Sequence, residues 1–376
     1  MSTVNLDEAI VMRENFLKEL NQAIDKVIGE KKDLNIDYDL LEQALGYMLK
    51  SCTSVKISPI SVITPLEKSE MLGVTLDFFK SIDISIYRQA IETILQQHEN
   101  IKMKIYNVHE VKNFNKKDEF NLLEYTSDGS VQSNKGNAIV NVPTRVKVNS
   151  KEEKILDENE CTLEDLYIVV HEISHLFDLD LESERTSNEE LKGKRPESKV
   201  SNTRELLGEA TTIAFEGMLT DYLLKNTDYS KQTIEEISSI RINSFMQDAR
   251  LVYAKLLLAK EKSKNGEITL QYIEKFMRDN NFSTQYVRRM ARNIIDDPRG
   301  MNFEKRYALG GLIAPTIIKK YKEDGPSILK KYLEESKNGN FKGAMNTLGI
   351  QLNNEGLKVL VNNLKEQILD LSKEER

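Results

Sequence analysis

This chain is poor in the side chains that usually build metal and redox sites. Histidine occurs four times in 376 residues, at 98, 109, 171 and 175. Cysteine occurs twice, and Cys52 and Cys161 lie too far apart in sequence to suggest a disulfide framework or zinc-ribbon spacing. Proline is absent between residues 197 and 297, a gap that predicts long uninterrupted helices. No stretch approaches the roughly 18–20 apolar residues of a membrane span. An excess of positive charge is missing too: 53 basic residues stand against 60 acidic ones with the signs interspersed, so nucleic acid is not an expected partner. The N-terminal residues lack a positive segment followed by an apolar core, so no Sec-type signal is expected. The expectation is a cytoplasmic protein, with signal-less export as the alternative. A hydrophobic content of 39% and a charged content of 30% suit a soluble globular chain with one large core or two lobes.

What is present reads mostly as helix. Tyr38 to Lys50, Asp83 to Gln97 and Phe245 to Ala259 carry apolar residues at helical intervals. Residues 52–65, richer in Ser, Val, Ile and Pro, read as a turn or short extended piece. From about 101 to 150 the pattern changes to alternation, in Ile101–Tyr106 and again in Val140–Val148, with Gly129 and Gly136 marking turns. A mainly α fold is therefore expected, with a small β-sheet just before residue 160. Thr162 is placed to cap the next helix, with Glu164 and Asp165 in its first turn. Residues 181–204 form a charged connection, read as a surface loop able to cover a site. The expected division is an N-terminal helical lobe over 1–100 and a second domain over 101–376.

Within that capped helix lies His171-Glu172-Ile173-Ser174-His175, an HExxH pentapeptide inside an apolar run. Residues four apart share a helix face, so both imidazoles reach one metal ion, and the adjacent glutamate can polarise a water on it. Catalytic zinc takes three protein ligands and keeps one position open. No histidine follows His175, so a downstream third ligand is expected to be a carboxylate. The metzincin pattern would need glycine at 178 and histidine at 181, where this chain has Asp178 and Leu181. Glu205, Glu209 and Glu216 recur on roughly one face of a following helix; one acid can ligate the metal and another can accept a histidine N–H. Spacing alone does not choose between Glu205 and Glu209. His98 and His109 sit in polar contexts and read as solvated. Asp178 and Asp180 read as surface acids at a helix end.

The stretch Gly208-Glu209-Ala210-Thr211-Thr212-Ile213-Ala214-Phe215-Glu216-Gly217, together with HExxH, resembles the oligoendopeptidase F and thimet oligopeptidase family of zinc peptidases. Arg306-Tyr307-Ala308-Leu309-Gly310-Gly311 is similar to that family's Tyr-Ala-x-Gly segment, and the likeness covers about 125–376. The resemblance implies a zincin-like metallopeptidase of the gluzincin kind. It implies one zinc ion on His171, His175 and Glu209, with Glu172 as general base and Glu216 supporting the site. Glu205 is then left as a partner of the helix N-terminus. Three departures stand out. The chain is shorter than typical members, the connection from His175 to Glu209 is longer, and Asp296–Arg306 has no histidine or tyrosine where the family carries oxyanion donors. Lys305 and Tyr307 are the nearest candidates for that role, and Tyr307 is taken as the catalytic one. The expected partner is a peptide or protein substrate, with no membrane. Two rivals remain: a protease effector cleaving one folded protein, and a zinc-binding interaction protein without turnover.

Overall fold

In the computed structural model the proline-free stretch becomes two long helices followed by two shorter ones. Residues 6–30, 38–52, 64–95, 99–144, 160–179, 198–279, 284–296 and 301–373 are described. The helices before the site are α1 (Leu6–Glu30), α2 (Tyr38–Ser51), α3 (Lys68–Ile82), α4 (Ile84–Ile94) and α5 (Leu163–His175). After it come the long pair α6 (Ser198–Asn226) and α7 (Lys231–Asn265), then α8 (Leu270–Asp279) and α9 (Thr284–Asp296). The last four are α10 (Met301–Asp324), α11 (Pro326–Lys337), α12 (Phe341–Thr347) and α13 (Asn354–Lys373). The fold is mainly α, as expected. No helix among the described residues is long and apolar enough to cross a membrane.

Two small sheets complete the architecture. Strand β1 (Pro65–Glu67) pairs antiparallel with β5 (Glu160–Thr162), stitching the N-terminal helices to the start of α5. The other sheet has β2 (Ile101–Asn107), β3 (Ser130–Asn134) and β4 (Asn137–Thr144) in the order β2-β4-β3, with β2 parallel and β3 antiparallel to β4. The predicted second alternating run begins three residues earlier than expected, and its end at 145–148 lies outside the described residues. Alternation sorts the two faces. Ile101, Met103, Ala138, Val140 and Val142 join the core. Lys102, Lys104, Tyr106, Gln132 and Asn141 turn the other way and are covered by residues 111–129. Lys104 Nζ lies 2.8 Å from Glu124, the Gln132 side chain bonds both backbone groups of Leu123, and Asn134 donates to the Phe120 carbonyl at 2.8 Å.

The core runs from Leu20 on α1 to Ile368 on α13, with α5 and α6 through its middle. Phe79, Phe177 and Phe215 form an aromatic knot behind α5, with ring centroids 5.3–5.8 Å apart. Close approach of α10 to α6 and α7 needs glycine. A Cβ at Gly310 would stand 3.1 Å from the Ala210 nitrogen, and one at Gly311 would meet the Phe245 ring at 2.4 Å. The missing side chains let α10 lie close enough to bring Tyr307 to Glu209.

Candidate metal centre

Helix α5 is buried on most sides, so its polar residues are held among apolar neighbours. Its start is fixed by a full capping box. Thr162 Oγ1 accepts from the Asp165 N–H at 3.2 Å, and Asp165 Oδ2 accepts from the Thr162 N–H at 2.7 Å. Tyr167 then meets Thr220 of α6 at 3.0 Å, setting the two helices in register. One turn along from Tyr167, His171 and His175 share a face with ring centroids 4.9 Å apart.

The carboxylate of Glu209 closes the set. Its oxygens lie 3.6 Å from His171 Nε2 and 3.8 Å from His175 Nε2. Bonds of about 2.1 Å to a tetrahedral ion would put two ligand atoms about 3.4 Å apart. One ligand atom from each of the three residues lies within 4.8 Å of the others, which makes them a group able to hold a metal ion. Two buried oxygens support the fit: Glu209 Oε2 and Glu172 Oε2 have no hydrogen-bond partner among the described residues. Orphaned buried oxygens are costly unless an ion or water satisfies them, so the donor set suits a divalent cation.

His171 is aimed from behind. Its Nδ1 lies 2.6 Å from Glu216 Oε1, which assigns the ring proton to that nitrogen and leaves Nε2 for a metal. Arg241 of α7 grips both oxygens of Glu216. Burial opposes the Glu216 charge, but Arg241 outweighs it and holds the carboxyl down at about 2. Burial likewise opposes a charged His171, yet the Glu216 bond wins and raises the ring to about 9 without a metal. His175, buried beside a charged His171, is pushed down. Glu209 is raised to about 7 and Glu172 to about 8, both mainly by burial. Tyr307 reaches Glu209 with its hydroxyl, and burial lifts its phenol so that it stays protonated. A cavity of about 240 Å³ adjoins His171, lined by Tyr167, Ile213, Arg241, Phe245 and Tyr307 among others.

The residues expected to share a site are thus together: His171, His175, Glu209, Glu172, Glu216 and Tyr307. Others fall elsewhere. Glu205 pairs with Arg306 and sits in the third turn of α6, because that helix starts at Ser198 inside the stretch read as a loop; it is not an N-terminal dipole partner. Asp178 is not a surface acid but is buried at 3% exposure beside the Ser336 and Thr211 hydroxyls. Lys305 is buried in the α10 packing. His109 is exposed, as expected, while His98, Asp180 and residues 181–197 lie outside the described residues. Arg241 escaped the sequence reading. Its only signal was a lone cation between Ile240 and Ile242.

No family model matches this chain, and no curated protein sequence matches it. Among solved structures it is similar to the "putative peptidase from Chlamydophila abortus", with a TM-score of 0.51 and 14% identity over 95% of this chain. The match takes in 55% of that protein, so this chain spans about half its neighbour's length. A likeness at that identity speaks for the fold, and the centre rests on the geometry of its own residues.

Proposed function

We propose that the protein is a zinc-dependent endopeptidase that cleaves peptide bonds with Glu172 as general base. One observation carries the reading: His171, His175 and Glu209 converge on one point, with the unpartnered Oε2 of Glu172 buried beside them. The residue-level likeness to oligoendopeptidase F and thimet oligopeptidase, and the neighbour described as a peptidase, agree with it. His171, His175 and Glu209 would hold the ion. Zinc in such a set supplies Lewis acidity, polarising a water and the scissile carbonyl.

The chain's own groups supply the rest. Glu172 accepts a proton from the attacking water and later passes it to the leaving amine. Burial raises its proton affinity in the metal-free centre, and a divalent cation beside it would lower that affinity toward the range a base needs. Glu216, held by Arg241, keeps the His171 ring in one tautomer. Tyr307, whose phenol burial keeps protonated and whose hydroxyl reaches Glu209, would be the donor to a developing oxyanion, a role worth about 3–4 kcal/mol in comparable sites. The cavity beside His171 would take a substrate side chain.

The test combines metal analysis with a quenched peptide library. Wild type should carry one zinc per chain and turn over peptides. Glu172→Gln should keep zinc and lose turnover, Glu209→Ala should lose zinc, and Glu205→Gln should keep both. Wild type without zinc would overturn the ligand set, and bound zinc without hydrolysis of any peptide or protein would overturn the enzyme reading. Cleavage of one intact protein with no peptide turnover would place the chain with protease effectors.

A further inference from the structure

Residues 111–129 end directly over the general base. A Cβ built on Gly129 would stand 2.2 Å from Glu172 Oε1, 2.9 Å from its Cδ and 3.2 Å from its Cγ. The backbone itself does not demand glycine here, because Gly129 is not among the glycines with positive φ. Space is what it supplies, and the nearest atoms a side chain would meet all belong to Glu172. The segment is also pinned on both sides. Before it, the Tyr106 hydroxyl accepts from the Thr126 N–H at 2.7 Å and donates to the Thr126 carbonyl at 2.8 Å. Thr126 Oγ1 in turn donates to the Asp128 carbonyl at 2.6 Å. After it, Ser130 opens β3 in register with Asn141 of β4. Tyr106 is fixed in its own turn by β2, which pairs with β4. Gly129 therefore cannot retreat from the carboxylate without breaking one of these anchors.

We propose that Gly129 is a positioning residue for Glu172: the Tyr106–Thr126 clamp holds a side-chain-free backbone against the carboxylate and fixes where the base stands. The inference rests on the reading of Glu172 as general base. The Glu172 side chain ends in flexible bonds, so an added methyl would displace the carboxylate rather than unfold the protein. The cost then falls on chemistry, where a misplacement of about 1 Å is worth on the order of 100-fold in rate.

The experiment uses the full zinc-loaded chain. In Gly129→Ala, zinc content and thermal midpoint should stay at wild-type values, while kcat falls roughly 10–100-fold and KM moves by less than about twofold. In the Glu172→Asp background, whose carboxylate is one methylene shorter and leaves room for the methyl, the same substitution should change kcat by less than about threefold. Tyr106→Phe removes the clamp's hydroxyl and should lower kcat by a smaller factor at unchanged zinc content, which covers the case of a poorly folding alanine variant. A crystal structure of Gly129→Ala should show the Glu172 carboxylate displaced from its wild-type position with the metal in place. Unchanged kcat, equal losses in both backgrounds, or an unmoved carboxylate would each overturn the positioning role. Full activity in Glu172→Gln would instead overturn the base assignment, and the crystallographic comparison would still decide whether Gly129 sets the carboxylate's place.

Discussion

Among single residues, Asp178 departs furthest from expectation. An acid three positions past HExxH reads as a helix-end surface group, yet it is buried, with the Ser336 and Thr211 hydroxyls beside it. Burial raises its carboxyl from 3.8 to about 6. The folded state therefore binds this proton more tightly than the unfolded chain does. The stability it contributes is full below about pH 4 and is lost as pH rises through about 6. Asp178→Asn stays neutral throughout, so urea titrations should show it gaining on wild type between about pH 4 and pH 7, by up to about 3 kcal/mol, and holding that gain above. A constant difference across that range would show that Asp178 does not titrate in this way. The residues of the centre divide along the same line. His171, Glu172 and His175 were legible because the i, i+4 rule acts within one helix; the shared face of the next helix offered Glu205, Glu209 and Glu216 alike, and the family resemblance singled out Glu209 and Glu216. Arg241 and Gly129 were not, since each acts across space on an element more than 20 residues away.

At the level of elements, the site is a meeting of four helices and a sheet. Helix α5 carries both histidines, α6 both acids, α7 Arg241 and α10 Tyr307. Composition announced the helices, and alternation announced the sheet and its two faces. How closely they pack was not written in any local pattern: the Gly310–Gly311 pair and the Phe79–Phe177–Phe215 knot depend on partners distant in sequence. The knot joins α3, the turn after His175 and α6. Phe215→Ala should therefore cost about 3–5 kcal/mol in chemical denaturation. It should also loosen zinc retention during dialysis, because Glu209 and Glu216 flank it on α6. A full loss of stability with zinc retained as in wild type would show the knot and the centre to be independent.

For the molecule as a whole, one hydrophobic core reaches from α1 to α13 and the centre lies inside it. Metal occupancy and global stability are then linked. An ion present at 100 times its Kd adds about 2.7 kcal/mol to the folded state. Chelation should lower the thermal midpoint of wild type and leave Glu209→Ala unchanged. The effect has a pH sign. Without metal, Glu209 is raised to about 7 and His171 to about 9, and both must give up protons to bind. Stabilisation by zinc should therefore grow from about pH 6 to about pH 9 in calorimetry. A midpoint insensitive to chelator at every pH would separate the centre from the stability of the fold.

The hold of Glu216 on His171 has a kinetic consequence. An imidazole bonded through Nδ1 to a carboxylate that is itself gripped by a guanidinium cannot turn over about its χ2 axis without breaking that bond. The half-turn that would exchange Nδ1 with the ring carbon opposite it is closed. An arriving ion thus meets a nitrogen already facing it, with no rotamer search left to make. The pace of loading passes to the release of the Nε2 proton and to the ion's own shedding of water.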